Sequence, residues 1–187
     1  MKTKTLRLAL GLASLFCMMA TLELPAQTNK KSDAPANQTD VPKEQEQFVA
    51  AVEPFIGKYL AAQNEVKKTL LRTQRKAAIE GALKSRKAED WVGRMSYMAT
   101  SGKSASVSIR LSGGTSGGKI EVSAKGIPIT SELFEKLADI NKGTRVRMSF
   151  AFKLDEDDFV SESSISEKGG MTEPDFEVTI TKIEALK

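Results

Sequence analysis

Asp155, Glu156, Asp157 and Asp158 form the densest run of potential ligands in the chain, and carboxylates so placed attract hard divalent cations such as Ca²⁺. The spacing does not complete an EF-hand loop. Val160 stands at the sixth position, where the turn requires glycine, and no glutamate falls at the twelfth. A solvated acidic loop is expected. The run Gly113-Gly114-Thr115-Ser116-Gly117-Gly118 offers successive amides that would suit a phosphate. A phosphate loop, however, leads into a helix whose N-terminus faces the anion, and here Gly118-Lys119 is followed by Ile120 and a strand pattern. A flexible hairpin loop is expected there. Glu121 and Asp139 are conceivable as an acid pair for hydrolysis, but their spacing establishes neither proximity nor a shared cleft.

What is missing narrows the chemistry further. The chain has no histidine, which removes the commonest general base, the commonest zinc ligand and any Ser-His relay. Cys17 is the only cysteine. It lies inside an apolar run from Leu8 to Leu22, preceded by Lys2, Lys4 and Arg7 and followed by Leu24-Pro25-Ala26. That arrangement predicts a secretory signal peptide over residues 1–26, so the mature chain would be exported, periplasmic or extracellular, and would hold no thiol. The run is shorter than the roughly 20 residues of a spanning helix, so no stable membrane span is expected after cleavage. Loss of the leader also lowers the formal charge of +4 by two, which does not support a whole-protein attraction to nucleic acid. No catalytic, metal or cofactor residue is assigned, and an enzyme is not expected.

Residues 27–42 are polar and aperiodic, and too poor in apolar surface to order themselves. They predict a disordered linker. From Lys43 into a helical segment ending at 89, Phe48, Val52, Phe55, Tyr59, Ala62 and Val66 recur every three or four residues and form one apolar stripe. The pattern predicts a long N-terminal helix, kinked or restarted at Pro54 because proline lacks the amide its turn requires. Lys67, Lys68, Arg72, Arg75 and Lys76 give it a basic face, read as solvated surface. Gly57 and Gly81 either permit close packing there or weaken the helix.

Residues 90–187 alternate like strands. Trp91, Gly93, Met95 and Tyr97 share one face, and so do Ala105, Val107, Ile109 and Leu111. Ile120, Val122 and Ala124 follow. Thr130 or Ser131 then caps a helix carrying Leu133, Phe134, Leu137 and Ile140. Val146, Met148, Phe150 and Phe152 make a fourth strand, and Phe176, Val178, Ile180 and Ile183 a fifth, with an extended excursion over 159–165 and a Gly169-Gly170 turn between them. Three strands, a helix and two strands is the order of a mainly β, five-stranded OB-type Greek-key barrel with its helix between strands three and four. Asp90-Trp91-Val92-Gly93, Lys142-Gly143-Thr144-Arg145-Val146, Ser164-Ile165-Ser166-Glu167 and Pro174-Asp175-Phe176, with Asn64-Glu65-Val66-Lys67-Lys68 before them, resemble the bacterial tRNA_anti-like OB-fold family. The resemblance covers roughly Gln47 to Leu186. It implies the barrel architecture shared by a family of mostly exported proteins, and no activity or site residue.

OB barrels commonly bind chains across strands two and three, by stacking bases on aromatic side chains. Here those strands carry Ser104, Ser106, Ser108 and Arg110, then Lys119, Glu121, Ser123 and Lys125 outward, with no ring at all. Arg94, Tyr97, Arg110 and Lys125 are the ligand-binding candidates, although the alternation turns Tyr97 into the barrel wall. The expected function is an exported, noncatalytic OB-fold binding or interaction module. Its expected partner is an envelope macromolecule or a second copy, with oligonucleotide or oligosaccharide binding on the strand two and three face as the alternative and nucleic acid the less favoured ligand.

Overall fold

Asn64 decides how the helical region is divided. Its side-chain oxygen accepts a hydrogen bond from the Lys67 amide at 2.8 Å, satisfying one of the amides that have no partner at a helix start. The computed structural model describes residues 40–114, 119–156 and 159–186. In it α1 (Lys43–Ala61) and α2 (Glu65–Ala82) form a helical hairpin in place of the expected single long helix. Pro54 does not interrupt α1. The carbonyl deprived of its partner belongs to Ala50, and both residues are exposed, so water can take the lost bond. The leader, the linker up to residue 39, the middle of the glycine-rich loop and Asp157 and Asp158 lie outside the described residues.

The carboxy-terminal half closes into a barrel in the order β1-β2-β3-β5-β4. Its strands are β1 (Lys87–Ser101), β2 (Ser104–Leu111), β3 (Glu121–Pro128), β4 (Arg145–Phe152) and β5 (Asp175–Ala185), with α3 (Glu132–Ala138) between β3 and β4 and α4 (Glu167–Thr172) before β5. All neighbours are antiparallel except β3 and β5, which pair in parallel from Glu121↔Asp175 to Ser123↔Glu177. β1 pairs with both β2 and β4 and so closes the ring. It starts at Lys87, ahead of the expected boundary. The period-two pattern holds: Val107, Ile109, Met148, Phe150 and Val178 all point into one buried core. The excursion is also strand-like, with Glu162 bridging Phe176 and the Ser163 amide donating to the Asp175 carbonyl at 2.8 Å.

Both barrel ends are closed by the chain's own helices. At the end holding the starts of β3 and β5, Phe48 of α1 inserts its ring 5.3 Å from Trp91, 5.2 Å from Phe152 and 5.1 Å from Phe176. Gln45, one helical turn earlier, is fully buried and acts as a surrogate strand partner. Its Nε2 donates to the Val92 carbonyl at 2.6 Å and the Ser112 carbonyl at 3.0 Å, while its Oε1 accepts from the Val92 amide at 2.7 Å. Buried backbone groups need such partners, which is why a polar side chain sits among apolar ones. At the opposite end α3, capped by Ser131, buries Leu137, followed by Ile140.

Gly169 and Gly170 do not form the expected turn; they belong to α4, whose start is capped by the Ser166 hydroxyl. The Glu162 carboxylate occupies the space that a Cβ on Gly170 would need, so this glycine serves close packing. Above α4, Arg75 also departs from the expected solvated basic face. It is 4% exposed, donates from Nη1 to the Gly170 carbonyl at 2.6 Å and pairs through Nη2 with Glu162 at 2.5 Å. Arg72 lies 3.9 Å from Glu167, and Lys68 stacks over the Tyr59 ring, so much of the basic face turns inward to α1 and α4. Burial, with Glu167 beside it, raises the Tyr59 phenol above its ordinary value, so it remains a neutral donor to that carboxylate.

Candidate ligand-binding groove

A β-bulge decides the character of the barrel's outer wall. Met95 is opposite Ile109, but Tyr97 is opposite Ser108, so Ser96 is an extra residue on β1. One unmatched residue reverses the side on which everything after it lies. Tyr97 therefore leaves the wall interior, where the alternation placed it, and stands 53% exposed while Met95 remains buried. Ser96 fastens the bulge by donating from Oγ to the Ser108 carbonyl at 2.9 Å.

Beside Tyr97 runs a row of charges, one from each strand. Arg145 on β4 is the register partner of Arg94 on β1, Arg94 of Arg110 on β2, Arg110 of Glu121 on β3, and Glu121 of Asp175 on β5. Register partners share a face of the sheet, and their flanking neighbours Gly93, Met95, Ile109, Val122, Val146 and Phe176 are buried, so the row faces outward. Arg145 is paired with Asp40 at 3.7 Å, and Arg110 with Glu121 at 3.4 Å. Arg94 donates from Nη1 to the Gly143 carbonyl at 2.6 Å. Two guanidiniums directly opposite one another repel.

The loop before β4 completes this part of the wall. Gly143 adopts φ +88°, a backbone conformation that side chains disfavour. Its amide donates to the Met95 carbonyl at 2.8 Å, and Met95 donates back to Thr144 at 2.9 Å. This docking brings Lys142 to the groove. A hollow of about 350 Å³ is lined by Arg94, Ser96, Tyr97, Arg110, Glu121 and Lys142. A second, of about 450 Å³, shares Arg110 and Glu121 with it and continues past Lys119 to Ser163, Glu173 and Asp175.

No family model, curated protein or solved structure matches this chain. Of the four sequence candidates, Arg94, Tyr97 and Arg110 come together and Lys125 does not. Its Nζ bonds Glu177 at 2.8 Å on the β3–β5 seam, where Lys153 approaches the same carboxylate at 3.3 Å. Lys142, Glu121 and Asp175 were missed as a group, because strand register unites the two carboxylates and the docked loop before β4 brings in the lysine. Glu121 and Asp139 do not form a pair: the first opens β3, while the second follows α3 beyond the strand's far end. Among the described residues no group of three or more His, Cys, Asp or Glu is gathered to hold a metal. Among them, too, no helix is long and apolar enough to cross a membrane.

The Lys125–Glu177–Lys153 cluster carries a pH prediction. The hydrogen bond from Lys125, assisted by Lys153, holds the Glu177 carboxyl below its ordinary value of 4.5. A depressed carboxylate contributes stability above its unfolded pKa and loses it as pH falls through the folded one. Glu177→Gln is expected to be less stable than wild type near pH 7, by under about 1 kcal/mol because the lysines are exposed. Urea midpoints of the two proteins should converge in acid below 4.5, and a constant difference across that range would contradict the assignment.

Proposed function

We propose that this protein is a noncatalytic OB-type binding module that holds a ligand on the outer wall of β1, β2 and β3. The observation that carries the reading is the bulge that turns Tyr97 outward beside Arg94 and Arg110. The filled interior and the helices at both ends support the same conclusion, since they leave only the outside of the barrel for recognition. α1 packs on a barrel end, and the wall with Arg94, Tyr97 and Arg110 stays open. The leader-like residues 1–26 suit an exported, envelope setting, and the tRNA_anti-like resemblance suits the architecture.

Titration with dodecathymidylate and with a hyaluronan hexasaccharide, followed by amide chemical shifts, tests this reading. Shifts are expected at Arg94 to Tyr97, Ser108 to Arg110 and Lys142 to Gly143. Tyr97→Ala should weaken binding by about 1 kcal/mol or more, the value of one stacked ring. Absence of binding by either probe at low salt defeats it.

A second reading, association with another protein or a second copy, is favoured by Val66 at 82% exposure and Leu70 one turn later. Both lie on α2 opposite the face that buries Leu71, Arg75 and Ile79. Light scattering across a concentration series tests it: a dimer abolished by Val66→Glu with Leu70→Glu supports self-association, and a monomer throughout removes it.

A further inference from the structure

We infer that the wall groove is bipolar and that its occupant is an acidic oligosaccharide in which charged and uncharged rings alternate; this rests on the groove being the binding site. The register row changes sign at its centre. Arg94 and Arg110 stand on one side, Glu121 and Asp175 on the other. The two hollows repeat the division. The one with Tyr97 holds Arg94, Arg110 and Lys142 against Glu121, whereas the other holds Arg110 and Lys119 against Glu121, Glu173 and Asp175.

A polyphosphate carries one charge on every unit and would meet repulsion over half of this path. A glycan with sparse carboxylates does not. One carboxylate fits bidentately between Arg94 and Arg110, whose forked donors match its two oxygens. The apolar face of a neighbouring ring covers Tyr97, and hydroxyls of the next rings donate to the carboxylates of the acidic half. Each hollow, at about 350 and 450 Å³, lies within the size range of small-ligand sites.

The acidic half is held ready for donors. Asp175 Oδ2 accepts from the Ser123 hydroxyl at 2.8 Å and the Ser163 hydroxyl at 2.5 Å, and Ser123 is joined to Ser108 at 2.7 Å. These bonds fix the carboxylate's orientation. Arg110 and Glu121, at 3.4 Å and shared by both hollows, form the junction where the ligand's acidic ring gives way to its hydroxylated one.

Calorimetric titration of the full chain at two salt concentrations decides the matter, using a hyaluronan hexasaccharide, maltohexaose and dodecathymidylate. The hyaluronan hexasaccharide is expected to bind at least about ten-fold more tightly than either other probe, which is about 1.4 kcal/mol. Arg94→Ala should weaken it by a similar factor. Glu121→Gln should weaken the hexasaccharide while strengthening dodecathymidylate, because it exchanges one of two acceptor oxygens for a donor and removes a charge that repels every phosphate. Both variants are at exposed or half-buried positions, and unchanged circular dichroism verifies that they fold. If dodecathymidylate binds as tightly as the hexasaccharide and Tyr97→Ala abolishes that binding, the glycan is overturned and the groove stands. If neither charged probe binds, both fall. Hexasaccharide binding unaffected by Arg94→Ala overturns the placement of the acidic ring.

Discussion

Arg75→Met is expected to lower unfolding stability by about 3 kcal/mol, the lower end of the range for removing one partner of a buried ion pair. The guanidinium is nearly inaccessible, and it joins α2 to Glu162 and to the Gly170 carbonyl simultaneously. Methionine keeps much of the volume but withdraws the donors that Arg75 gives to the Glu162 carboxylate and the Gly170 carbonyl. The lower end applies because the Glu162 side chain retains 14% exposure, through which water can reach it. Urea unfolding monitored by circular dichroism gives the number. A second variant separates the pair from simple packing: Arg75→Met combined with Glu162→Leu should recover a substantial part of the loss, since replacing a whole buried pair with apolar groups is often neutral. Equal stability of Arg75→Met and wild type would show that the hairpin is not fastened in this way.

Phe48→Ala is expected to cost about 3 to 5 kcal/mol, the range for deleting a fully buried phenylalanine ring. The ring is 0% exposed and touches Trp91, Phe152 and Phe176 at centroid separations of 5.1 to 5.3 Å. These tilted and edge contacts are favourable beyond the area they bury. Its removal also opens the barrel end that α1 closes. Trp91 is the chain's only tryptophan, so its emission reports the site directly. A red shift in native Phe48→Ala, with a lower urea midpoint, is the expected result. An unchanged midpoint would mean that α1 is not part of the barrel's core, and a large loss of stability without any shift would mean that the end collapses and stays dry.

The barrel was legible because its side chains alternate over long stretches. In β2 and β4 every second residue is buried, and the pattern survives because no extra residue interrupts those strands. The alternation failed at Tyr97 because a bulge inserts Ser96, and nothing in the residue types from Met95 to Tyr97 marks an insertion that depends on the neighbouring strand. The helical stripe was equally visible, but its division was placed at the wrong residue. Pro54 is the stronger breaker on propensity, yet its lost hydrogen bond faces water, while Asn64 starts a new helix by capping it. Arg75 was assigned to solvent by its charged neighbours. Only the fold brings Glu162 and Gly170 to it.

By itself the sequence determined the strand order, the helix between the third and fourth strands, and the absence of histidine chemistry, because periodicity and composition are local properties. The tertiary structure decided that Arg145, Arg94, Arg110, Glu121 and Asp175 form one row, that Lys125 leaves the groove, and that Tyr97 enters it. Those outcomes depend on the register between strands far apart in the chain. Register is fixed by the fit of the whole core and its bulges, and no single segment carries that information.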